Sequence, residues 1–255
     1  MFSLLRDVAK LSAERALRAW PVALSLVLYA IVIILTGMLL LPLGFVGAIA
    51  LSFVVAACWS SYLELISQAV AGSKVRPRWD DFKRTFGARL WDVVSVMFAF
   101  WIISFLTAPL AAGENGPAVS GILAVAIGFF FNAVPELLYQ GRSRSFALLL
   151  DSARFMLAHP LVWLLPNLAF AAIALGASGQ LHVQHPGELL VVFSGFFASP
   201  MSAVQVFANI PIWAWPIALG GVHFVMVFRG TLFAALTTGG GNTRLRAFQA
   251  AQRRD

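Results

Sequence analysis

The side chains best placed to do chemistry in this 255-residue chain are few. Glu64 is followed four residues later by Gln68, and Glu136 by Gln140. Both Glu-x-x-x-Gln pairs close a long apolar stretch, and Arg229 sits at a similar depth in a third. On a helix this spacing puts carboxylate and amide on one face, a turn apart. Charged groups inside apolar segments are costly, and they face a protein interior or a wet cavity where they find partners. Two readings follow. In the first, Glu64, Glu136 and Arg229 form one cluster with Gln68 and Gln140 beside it, lining a cavity that takes a cation, a protonated solute or a lipid headgroup. In the second, Arg229 pairs one glutamate structurally and the other polar groups reach interfacial water. We favour the second.

The remaining chemical candidates are thinner. His182, His185 and Glu188 are types that ligate zinc or copper. Their spacing runs across Pro186-Gly187 and matches no ligand frame, so a solvated loop is expected and no metal site. His223 within an apolar stretch and His159 at the start of another read as interior or interfacial histidines rather than cofactor ligands. Gly239-Gly240-Gly241-Asn242 lacks the strand before it and the lysine after it that a phosphate loop needs, and reads as a helix cap and hinge. No Ser-His-Asp set, metalloprotease motif or nucleotide-binding loop is present in the sequence. The chain is expected to be non-enzymatic, with no cofactor.

The elements that must position these residues are read from composition. Sixty per cent of the residues are hydrophobic and 11% are charged, against about 25% charged in a soluble domain. The apolar residues come in blocks long enough to cross a bilayer, which takes roughly 20 residues per helix. The net charge is +7. It lies in short segments beside apolar blocks, the pattern of membrane-flanking loops rather than of a nucleic-acid surface. Cys58, the single cysteine, cannot form an intrachain disulfide and reads as a small core hydrophobe. The N-terminal segment spreads its charges along a helix, so no cleavable signal peptide is expected.

Six spans are expected, near residues 20–41, 45–71, 91–111, 119–139, 160–175 and 212–236. Amphipathic interfacial helices are expected over 2–19, 79–90 and 145–158, with a further one beginning in the tail. In the first, Leu4, Leu5, Val8, Leu11, Ala16 and Leu17 make the apolar face, and Arg6, Lys10, Glu14, Arg15 and Arg18 lie mostly opposite. The apolar run 189–207, broken by Gly195 and Pro200, is read as re-entrant or interfacial. Of the eight tryptophans, Trp20, Trp59, Trp91, Trp163, Trp213 and Trp215 fall near span ends, as interface anchors do. Trp101 is the exception.

Charge asymmetry orients the chain. The N-terminal helix holds four Lys/Arg, the second-to-third connection six, the fourth-to-fifth three and the tail four, leaving only Arg229 of the eighteen. The other connections hold none. By the positive-inside rule the basic segments, and with them both termini, are expected in the cytoplasm. The basic faces are expected to meet anionic headgroups.

An internal repeat is also legible. Arg15-Ala16-Leu17-Arg18-Ala19-Trp20-Pro21 resembles Arg154-Phe155-Met156-Leu157-Ala158-His159-Pro160, and Arg84-Thr85-Phe86-Gly87-Ala88-Arg89-Leu90 keeps the arginine and alanine but not the proline. With the two Glu-x-x-x-Gln pairs, these matches divide the single membrane domain into units 1–72, 73–140 and 141–238, followed by a basic tail, 239–255. The expected fold is all-α: a polytopic membrane helical bundle with interfacial helices around its cytoplasmic rim.

At the joint of the second and third units, Glu136-Leu137-Leu138-Tyr139-Gln140-Gly141-Arg142-Ser143, followed by an amphipathic helix and a new span, resembles a group of poorly characterised bacterial six-span proteins. That group includes the membrane domain fused to glycerophosphodiester phosphodiesterases. This chain lacks a phosphodiesterase domain, so no hydrolase activity carries over. The resemblance implies a bacterial inner-membrane protein and no catalytic residue.

Three functional classes fit. The first is an accessory or scaffold subunit of a larger membrane complex, or a homo-oligomer, partnered by other membrane subunits or by itself. The second is a transporter or channel for a small solute or lipid, using the Glu/Arg cluster. The third is a cofactor or pigment carrier in the membrane.

Overall fold

The computed structural model describes residues 2–72, 80, 84–111, 116–140, 146–178 and 215–237. The elements in these residues are helices: α1 (Phe2–Arg18), α2 (Pro21–Leu40), a 3-10 turn (Leu41–Leu43), α3 (Gly44–Ala71), α4 (Leu90–Ala111), α5 (Gly116–Phe130), α6 (Val134–Gln140), α7 (Phe146–Ala158), α8 (Pro160–Ser178) and α9 (Trp215–Thr237). Four stretches are long and apolar enough to cross a membrane: Pro21–Ala71, Leu90–Pro109, Ala118–Gln140 and Trp215–Thr237. A fifth appears if α7 and α8, bent by 95° at His159, are taken as one broken span. Among the described residues the protein is thus all-helical, and its apolar helices are compatible with an integral membrane location.

The first stretch folds back on itself. Pro42 sits in the 3-10 turn, and Gly44 takes φ 62°, ψ −134°, a conformation closed to residues with a Cβ. Gly47 lets the two legs approach, because a Cβ there would overlap the Leu40 carbonyl. The resulting α2–α3 hairpin is pinned by Tyr29 Oη and Ser61 Oγ, 2.6 Å apart.

Ala118–Gln140 is broken rather than continuous. Residues Phe131–Ala133 form a turn between α5 and α6. Pro135 has no N–H to give the Phe131 carbonyl, and its ring crowds that same carbonyl. The expected span over 119–139 is therefore two helices. The amphipathic helix expected over 79–90 lies partly outside the described residues. Within them, Asp80 and Arg84–Thr85 are helical, and Phe86–Arg89 is a turn in which Gly87 takes φ 75°.

Helices α3 and α9 form the centre. Helix α9 packs against α1, α2, α3 and α6, and α3 packs against α2, α4, α6 and α9. Burial is concentrated at one end of the bundle: the second half of α3, α6, α7, α1 and the second half of α9. At the other end, near the α2–α3 turn, large apolar side chains such as Leu39, Phe45 and Phe105 stand exposed.

Helix α1 presents most of its expected face to the bundle: Val8 and Ala16 are buried, together with Ser12, and Leu4 and Leu5 pack against the core. Two residues depart from it: Arg15, expected on the polar face, is buried, and Leu17, expected on the apolar one, is exposed. Burial pushes the Arg15 guanidinium down to about 10, with Glu14 opposing the shift.

Candidate functional site

The break between α5 and α6 exposes carbonyls that a continuous helix would have satisfied. Side chains from α7 and α9 meet them. Ser152 Oγ of α7 donates to the Phe130 carbonyl at 2.8 Å. Arg229 of α9 donates through Nη2 to the Asn132 carbonyl at 2.5 Å. At the other end of α6, Arg89 Nη1 donates to the Leu138 carbonyl at 2.8 Å, and Ser67 Oγ of α3 donates to the Tyr139 carbonyl at 3.3 Å. The short helix is fully enclosed: Val134 to Tyr139 are all buried.

Glu136, in the first turn of α6, carries the principal ion pair. Arg229 Nε donates to Oε1 at 2.7 Å and Nη2 to Oε2 at 2.9 Å, a bidentate fork. The two side chains are 0% and 1% exposed. The Arg229 guanidinium also lies 5.2 Å from the centre of the Trp163 ring, within range of a cation–π contact. Trp163 is itself held by its indole N–H on Asn132 Oδ1 at 2.8 Å, and it packs against Phe155 and Phe233. The turn, the pair and the indole therefore form one network. Charges enclosed in this way are tolerated when geometry is good and remaining hydrogen-bond capacity is answered.

Glu64 belongs to a second pair. Arg89 Nε donates to Glu64 Oε2 at 2.8 Å, and the Arg89 backbone N–H donates to Ser60 Oγ at 2.7 Å. Both side chains are about a quarter exposed. Arg89 therefore joins α3 to the C-terminal end of α6, where a cation also complements the helix dipole.

Glu64, Glu136 and Arg229 thus do not form one cluster; each glutamate has its own arginine. Gln140 Nε2 reaches the Gly230 carbonyl at 3.5 Å, a weak bond. Gln68 joins neither pair, and its Oε1 is buried without a partner among the described residues. Asn132 was not singled out from sequence, and Arg89 and Trp163 were read there in other roles. Arg89 stood in the repeat motif, but nothing in its 25-residue separation from Glu64 marks a pair. Trp163 and Trp59, expected as interface anchors, are buried. Proximity to Arg229 draws the first inward. Trp20 and Trp91 are exposed as anchors would be, and Trp213 lies outside the described residues.

Among the described residues no three His, Cys, Asp or Glu side chains gather as metal ligands. His182, His185, Glu188 and the 239–242 glycine run lie outside them. His159 is half-buried beside Phe155. His223 is buried on α9. Cys58 is buried and free.

No protein-family model, curated protein or solved structure matches this chain.

Proposed function

We propose that this chain is a non-enzymatic scaffold or accessory subunit of a membrane assembly, built from other subunits or from copies of itself. The observation that carries the reading is the enclosure of Glu136 and Arg229. Both partners of the pair are committed to each other and to the α5–α6 turn, so their charge serves the fold. A face for association is supported by α4. There Phe98, Trp101 and Phe105 stack in series at 5.8 Å spacings and stand 55%, 60% and 67% exposed, with a tryptophan at mid-helix.

In this reading the chain crosses a bacterial inner membrane six times, with both termini and the basic segments in the cytoplasm near anionic headgroups. Three units repeat. The packing of α1 on α9, of Arg89 on α3 and of α7 on α6 supports the repeat, since each leading segment sits on the closing helix of another unit.

One observation favours a second reading, a transporter of a small solute or lipid. A broken helix beside an ionisable pair is a feature of transporter binding sites. Purification from the source membrane in mild detergent, with intact-complex mass spectrometry, separates the two. Co-purifying subunits or a stable homo-oligomer support the scaffold. A lone chain whose vesicles show flux abolished by Glu136→Gln, with the fold intact, supports transport.

A further inference from the structure

The first hairpin reverses direction without a polar side chain. From Ala19 to Leu63 the sequence holds no Asp, Glu, Lys, Arg, His, Asn or Gln, and from Gly37 to Leu51 no side chain carries a nitrogen or an oxygen. The reversal, at the 3-10 turn Leu41–Leu43, falls inside that second run. Around it Met38, Leu39, Leu41, Leu43, Phe45 and Val46 are all more than half exposed. The next reversal expected on the same side, Gly113-Glu114-Asn115-Gly116-Pro117, has instead the composition of a loop in water.

Helix length limits how far the first turn can reach. Arg18 and the exposed Trp20 mark an interface just before α2. From there α2 runs for 20 residues, which is about 30 Å at about 1.5 Å per residue. The return leg meets its first charge at Glu64, on the same helix that Gly44 begins. Hydrocarbon is about 30 Å thick, whereas a bilayer with its headgroups is about 40–45 Å. A leg of this length ends where the acyl chains of the far leaflet end, and any tilt shortens its reach.

Hydrocarbon accepts a chain reversal only where backbone polar groups are answered within the protein. Here α2, the 3-10 turn and α3 follow one another with no non-helical residue between them. The Leu41 N–H donates to the Gly37 carbonyl and the Gly44 N–H to the Leu41 carbonyl. Pro42 has no N–H to answer. Gly47 backs closely onto the Leu40 carbonyl. Ser52, the first hydroxyl after the turn, spends its Oγ–H on the Ala48 carbonyl of its own helix at 2.9 Å.

We propose that the α2–α3 turn stays among the lipid acyl chains of the far leaflet and does not emerge into the water beyond it. Acyl chains are the partner this surface fits. They accept large apolar side chains on every side of the tip, whereas water would face six of them with no polar group among them. The inference rests on the membrane location alone and is the same for a scaffold and for a transporter.

Spin-label accessibility in lipid nanodiscs tests it on the full chain. In a Cys58→Ala background, single labels are placed at Leu39→Cys and Phe45→Cys, one on each leg at strongly exposed positions, and at Asn115→Cys as the water reference. Oxygen, which dissolves in acyl chains, should relax the labels at 39 and 45 several-fold more than a water-soluble nickel chelate does, and the order should reverse at 115. Nickel access at 39 and 45 equal to that at 115 puts the turn in water and overturns the proposal. Low access to both reagents at 39 and 45 means that protein covers the tip, and overturns it too. Oxygen preference at 39 and 45 supports it whatever the third label shows, and a label at 115 that also prefers oxygen counts against the six-span reading alone.

Discussion

Phe45 and Val46, at the start of α3, are 81% and 70% exposed, whereas Leu63 and Ile66, about five turns along the same helix, are fully buried. The contrast extends through the bundle. Near the α2–α3 turn the helices carry apolar side chains outward and make few polar contacts. At the end bearing α1, α6 and α7, the interior is closed and holds two ion pairs, a broken helix and three tyrosines. A single solvent does not account for both. Hydrocarbon accepts exposed Leu and Phe without penalty but offers no partner to a backbone carbonyl. Exposed apolar side chains at the turn end suit hydrocarbon, and the packed end answers the Phe130, Asn132, Leu138 and Tyr139 carbonyls with its own side chains.

The largest effect is expected where that internal satisfaction is most complete. Arg229→Ala or Glu136→Ala leaves an uncompensated buried charge and should destabilise the chain by about 3–5 kcal/mol, measured by reversible unfolding in mixed micelles. A loss no greater than that of an exposed substitution at the turn end would erase the contrast between the two ends. Next comes Gly230→Ala. Its Cβ would run into the Tyr139 hydroxyl and lie 2.6 Å from Val70 Cγ2, an overpacking that costs about 1–3 kcal/mol. Adding Tyr139→Phe should return part of the loss, which the same unfolding assay reads.

Glu64→Ala should cost less, about 1–3 kcal/mol, because it removes a charge-assisted bond in a pair that still touches solvent. Raised salt should weaken the Glu64 pair more than the enclosed Glu136 pair, and comparing unfolding of the two variants at low and high salt checks this. The smallest effect belongs to the exposed face: Trp101→Ala or Phe105→Ala should change monomer stability by no more than about 0.5 kcal/mol. If α4 carries a partner, the same substitutions should release it during native purification.

Much of this arrangement was legible in the sequence. Apolar block length marked the membrane-compatible helices, and Glu136 and Arg229 stood out because charge is expensive in such blocks. Their pairing with each other, rather than with Glu64, was not legible. It depends on the α5–α6 break, and Pro135 alone does not announce one, since membrane helices often absorb a proline by re-satisfying the freed carbonyls from neighbours. Here Arg229 and Ser152 do so from α9 and α7, long-range contacts with no local signature. Arg15 was misplaced for a related reason. Amphipathicity placed most of the α1 face correctly, but it could not show that Arg15 is buried where α1 packs on α9. Trp163 looked like an anchor from its place at a span start, but Asn132, Phe155, Phe233 and the Arg229 guanidinium enclose it.

The central claim is that Glu136 and Arg229 act as one structural unit. A double-mutant cycle measures it directly, with Glu136→Leu, Arg229→Met and the double variant compared by reversible unfolding. The structure predicts that each single substitution is strongly destabilising and that the double variant recovers much of the loss, because an apolar pair can replace a buried ion pair at little cost. Single losses that are small and simply add would contradict it.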